Sequence, residues 1–150
     1  MNREDFKAII LFAIEREREA VAFYEDLQGK AKFNSQKEML NELEMMERGH
    51  ITVLSNIMDK GADNIVHKDV ENLHISEYLV SDEPKGELTY QDILIVAMKR
   101  EETATKLYKD LALRFKETET HGVFQRLAEE EAGHKLRFEK LYDEEILKNN

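Results

Sequence analysis

The 150-residue sequence contains no cysteine, one proline and six glycines. Without cysteine there is no disulfide framework, thiolate zinc site, iron–sulfur cluster or thiol nucleophile. With so few helix breakers and 36% charged residues, the composition suits long helices. Long hydrophobic runs are missing too. The most apolar stretch, around residues 8–14, is far too short to span a bilayer. The opening Met1-Asn2-Arg3-Glu4-Asp5 lacks a signal-peptide layout, so a cytoplasmic protein with no membrane partner is expected. Positive charge is in deficit, leaving a formal net charge of −10, which argues against a nucleic-acid partner. At this length, one domain spanning residues 1–150 with a substantial core is expected.

What is present is helical periodicity. Apolar residues recur three and four positions apart in four segments, predicted at about 4–32, 35–60, 89–117 and 122–147. The inward stripe of the first reads Phe6, Ile10, Ala13, Glu17, Ala20, Tyr24 and Leu27. A break at Phe33-Asn34-Ser35 follows, with Ser35 the expected N-cap and Glu38 three residues on. The second stripe reads Leu40, Leu43, Glu47, His50, Leu54 and Ile57, and Gly61 is the expected stop. Periodicity lapses over a crossover of about 61–88, apart from a short helix expected near 69–79. A connection of that length is uncommon without a task, and here it is long enough to run the length of a bundle. Thr89 and Asp92 mark the third start. The third stripe reads Tyr90, Leu94, Ala97, Glu101, Ala104, Tyr108, Leu111 and Phe115. After a turn near 118–122 the fourth reads Phe124, Leu127, Glu131, His134, Phe138 and Leu141. Stripes one and three correspond, as do two and four, so the chain reads as a duplicated helical hairpin.

Six polar residues interrupt these stripes. Glu47-Arg48-Gly49-His50 and Glu131-Ala132-Gly133-His134 lie 84 positions apart, and so do Glu17 and Glu101. Buried carboxylates are costly unless something positive pairs with them. Four glutamates and two histidines facing one core form the ligand set of a di-metal site in a four-helix bundle. A Glu and a His three apart share a helix face and can reach one metal pair. Glu47 and Glu131 can bridge, His50 and His134 can each cap one metal, and Glu17 and Glu101 supply terminal carboxylates. Mixed carboxylate and imidazole ligation suits iron or manganese, and zinc also accepts such ligands. Ala13, Ala20, Ala97 and Ala104 beside the lone glutamates leave space for ions and a small oxidant. Gly49 and Gly133, each before a histidine, point to close helix approach, because interior glycine otherwise costs a helix about 1 kcal/mol. Tyr24 and Tyr108 are placed to hydrogen-bond ligand carboxylates.

One Glu-x-x-His alone carries little weight in a glutamate-rich chain. Glu71-Asn72-Leu73-His74 has the same spacing, but it has no counterpart 84 residues away and reads as surface. Met39, Met45, Met46 and Met58 read as core filler and surface rather than ligands. His67 and His121 read as loop or helix-end residues. Glu15, Glu19, Glu129 and Glu130 read as solvated faces, and Glu102 points off its stripe.

These residues resemble the ferritin-like di-iron carboxylate superfamily, and most closely its rubrerythrin-type members, over all four helices. The resemblance implies an all-α, ferritin-like four-helix bundle whose two hairpins are joined by a long crossover. It implies a peroxidase- or oxidase-type oxidoreductase, with two iron ions held by Glu17, Glu47, His50, Glu101, Glu131 and His134. The oxidant would be hydrogen peroxide or oxygen. Two departures qualify it. These 150 residues hold no cysteine with which to build a rubredoxin module, so an external donor such as a rubredoxin-like protein is expected to supply the electrons. Ala104 and Thr105 stand where rubrerythrins carry an extra carboxylate, leaving a symmetric six-ligand site closer to bacterioferritin. Bacterioferritin's haem-binding methionine is replaced by Arg48, so no haem is expected. Little chain follows the fourth helix to form the fifth that would help build a storage cage. Ferritin-type iron oxidation and storage is therefore the second expectation and a metal-free interaction bundle the third. A homodimer is expected by family analogy.

Overall fold

A computed structural model describes residues 3–60, 89–116 and 118–144. They form four helices: α1 (Arg3–Lys30), α2 (Asn34–Lys60), α3 (Tyr90–Arg114) and α4 (Thr120–Tyr142). No strand occurs among the described residues, so the all-α class read from the periodicity is observed. The expected crossover at 61–88 lies outside the described residues. So do Gly61, His67, the short helix near 69–79 and the Glu71–His74 motif. The chain divides into two compact units, one holding α1, α2 and the segment Phe115–Thr120, the other α3 and α4.

The first unit is an α1–α2 hairpin. Phe6, Ile10, Ala13, Tyr24 and Leu27 of the expected stripe are buried, and Ile9, Ile14 and Val21 widen it. From α2, Leu40, Leu43, Leu54 and Ile57 are buried. Each large apolar side chain so buried contributes about 1.5–3 kcal/mol. Phe6 meets Phe115 edge-on, with ring centroids 5.5 Å apart. The hairpin turn differs from expectation. α1 ends at Lys30, where the Ala31 N–H donates to the Gln28 carbonyl. α2 then starts two residues before the position that Ser35 capping would give. The Phe33 carbonyl accepts the first bonds, from the Gln36 and Lys37 N–H groups, both at 3.1 Å. The Gln36 side chain accepts the Phe33 N–H in return. Gln36 thus supplies the returning half of a capping box. Ser35 is already helical, and Phe33 has no side-chain acceptor to complete the other half.

The second unit is the α3–α4 hairpin. Its start matches the sequence reading: the Asp92 N–H donates to Thr89 Oγ1 and the Thr89 N–H to Asp92 Oδ2, each at 3.1 Å. Leu94, Ala97, Tyr108 and Leu111 of α3 and Phe124, Leu127, Phe138 and Leu141 of α4 are buried. Tyr108 stacks on Phe124. A ring nitrogen of His121 donates to the Ala112 carbonyl at 2.7 Å, satisfying an acceptor in the last turn of α3. Far from this turn, Gln91 donates to the Tyr142 hydroxyl at 2.8 Å. Among the described residues, no helix is long and apolar enough to cross a membrane.

Candidate metal centre

Glu17 sits midway along α1, where the stripe carries it to the buried face; Glu47 and His50 share the buried face of α2. His50 Nδ1 lies 3.5 Å from Glu17 Oε2 and 3.8 Å from Glu47 Oε2. The second unit repeats the arrangement. His134 Nδ1 of α4 lies 3.5 Å from Glu101 Oε2 of α3 and 4.0 Å from Glu131 Oε2. All six residues are at most 3% exposed. Within each unit the two carboxylates and the imidazole offer ligand atoms within 4.8 Å of one another. Every residue named from the sequence as a ligand is thus brought to one of two clusters, each Glu₂His.

The donor set fits a metal ion. Two carboxylates so close together and out of water cannot both stay charged without a compensating cation, or else they hold protons. A divalent ion meeting two carboxylates and one neutral imidazole cancels that charge. Oxygen and nitrogen donors without sulfur match iron, manganese or zinc.

The neighbours are more mixed. Ala13 and Ala97 are buried and Ala20 and Ala104 half-buried, so small side chains flank Glu17 and Glu101 as expected. Tyr24 and Tyr108 lie in the core. Glu102 is largely exposed and reaches toward Lys135. Thr105 turns its hydroxyl back to the Glu101 carbonyl at 2.7 Å, so it presents no carboxylate and caps its own helix backbone instead. Met45 is exposed and Met39, Met46 and Met58 are half-buried, so the core-filler part of their reading does not hold. The glycine expectation is corrected as well. Gly49 and Gly133 are exposed, and a Cβ built on either meets nothing within 4 Å. They permit no close approach that alanine would block.

One polar group near the clusters escaped the sequence reading. Glu44, one turn before Glu47, is buried. It accepts from Gln28 Nε2 of α1 at 2.8 Å and from Arg48 Nε at 2.9 Å. Arg48 also donates to Glu25 of α1. Burial, the largest single influence, pushes the Glu44 carboxyl up. The hydrogen bonds from Arg48 and Gln28 and the Arg48 charge outweigh it, and the group ends below the usual carboxylate range. The Arg48 guanidinium is raised, first by its bond to Glu44. The available signal was a lapse in the duplication: the position 84 residues after Glu44 holds Ala128.

The family model for rubrerythrin matches residues 8–142. The chain belongs to the rubrerythrin family. That family is one of the ferritin-like di-iron carboxylate families, which agrees with the all-α hairpins and with two buried clusters able to bind metal. The match takes in α2, α3 and α4 in full and all six clustered residues. Comparisons with curated proteins and with solved structures give no match.

Proposed function

We propose that this rubrerythrin-family chain holds two iron ions with Glu17, Glu47, His50, Glu101, Glu131 and His134, and that it reduces hydrogen peroxide with electrons from an external donor. The observation that carries this reading is the pair of buried Glu₂His clusters. Bound iron supplies the two electrons that, with two protons, convert hydrogen peroxide to two waters. The chain does the rest. Glu17 and Glu47 would supply the carboxylate oxygens in the first hairpin, and Glu101 and Glu131 those in the second. His50 and His134 would give each ion an imidazole donor, and Tyr24 and Tyr108 are buried in the same hairpins. The apolar stripes keep bulk water away. Arg48 directly after Glu47 leaves no haem ligand there. Oxygen is a second candidate oxidant, a rubredoxin-like protein the proposed kind of external donor, and a cytoplasmic homodimer the proposed setting.

Ferritin-type iron oxidation is the second reading. It is favoured by Ala104 and Thr105, which offer no fifth carboxylate beside Glu101. Stopped-flow absorbance of the anaerobically iron-loaded protein separates the two. Faster oxidation by peroxide than by oxygen, reversed by a reductant with iron retained, is expected. Rapid reaction with oxygen followed by accumulation of many ferric ions per chain would establish the second reading instead. A metal-free interaction bundle is disfavoured by the four buried glutamates of the clusters.

A further inference from the structure

The two clusters match in their ligands but not in what holds them. In the first hairpin, Gln28 and Glu25 of α1 are tied to Glu44 and Arg48 of α2. The tie encloses the turn that carries Glu47, and Arg48 is the next residue. It therefore fixes the rotation of that turn against α1, and with it the side chains of Glu47 and His50 relative to Glu17. At the positions 84 residues further on, the second hairpin has Ala112, Ala128, Ala132 and Lys109 in place of Gln28, Glu44, Arg48 and Glu25. Three of these four have no side-chain polar atom, so this tie cannot form there. Duplication explains the matching ligands. It does not explain a buried carboxylate kept on one side only, since an unpaired one would be destabilising.

We propose that Glu44, with Gln28 and Arg48, is a positioning group that pre-organises Glu17, Glu47 and His50, so that the first hairpin binds its divalent cation more tightly than the second. The inference rests on the two-ion reading above. Donors fixed before the ion arrives lose less freedom on binding. The two hairpins therefore load unequally, the first ahead of the second.

The test uses cobalt(II) as probe, followed by calorimetry and by its visible absorption. His134→Ala leaves the first hairpin's donors intact, and His50→Ala leaves the second's. His134→Ala is expected to bind its first cobalt about tenfold more tightly than His50→Ala does. Replacing Gln28, Glu44 and Arg48 together by alanine is expected to abolish that difference. It should alter the cobalt spectrum of the His134→Ala protein more than that of the His50→Ala protein. A merely structural role would weaken both equally. Equal affinities of the two single variants, or tighter binding by His50→Ala, overturn the proposal, and this comparison decides even if the triple variant does not fold. The two-ion reading fails separately, if the unmodified chain takes up well under two cobalt ions.

Discussion

At the scale of single residues, the six cluster members were legible because each breaks an apolar stripe and does so again 84 positions on. The metal role predicts different outcomes for two Glu-x-x-His glutamates. Glu131→Ala should lower the metal content measured by elemental analysis after anaerobic iron loading, while Glu71→Ala should leave it unchanged. Equal losses would mean the site is misplaced. Glu44 was not legible. Its partner Gln28 lies sixteen residues away across a turn, so no local spacing marks the pair. Its pH dependence follows from the lowered carboxyl. A group whose folded value lies below its unfolded one stabilises the fold above the unfolded value, about 4.3 for glutamate. That contribution is lost as pH falls through the folded value. The melting temperature of Glu44→Gln should therefore fall below that of the parent at pH 7, with the gap closing toward pH 3. A gap that widens on acidification would mean that burial outweighs pairing with Arg48 and Gln28.

At the scale of elements, the four helices among the described residues were legible, and their ends only where side chains close the cap. Thr89 and Asp92 form a reciprocal pair, so the start of α3 followed from local sequence. Thr89→Ala should cost about 1 kcal/mol, read by denaturant unfolding. The start of α2 did not follow, because Phe33 and Gln36 share the cap and neither is a strong signal alone. Glycine was misread for a related reason. Its helical cost implied a compensating contact, and the structure offers open space beside Gly49 and Gly133. That space makes a direct prediction. Gly49→Ala and Gly133→Ala should each stabilise the metal-free protein by up to about 1 kcal/mol, a rise of roughly 2–4 °C in melting temperature for a chain of this size. A fall in either would show that something absent from a single chain, such as a second copy, needs the bare backbone there.

At the scale of the whole molecule, the formal charge of −10 includes the four buried glutamates of the clusters, and these should make the metal-free fold depend on its ions. With no cation, each hairpin must keep two carboxylates within 4.8 Å of each other and of an imidazole, either repelling or protonated. Unfolding returns all of them to water. A divalent ion that binds only the folded chain adds stability that grows with its concentration, about 2.7 kcal/mol per site at a hundred times the dissociation constant. Anaerobic ferrous iron or manganese(II) should therefore raise the melting temperature in proportion to the logarithm of free metal. The rise should be smaller in His50→Ala and in His134→Ala, and absent when Glu47 and Glu131 are both replaced by alanine. That double variant also sheds buried charge, so its metal-free form should melt at or above the metal-free parent despite the two cavities left behind. If it melts well below, the glutamates stabilise the fold through contacts of their own, and metal is not what they are buried for.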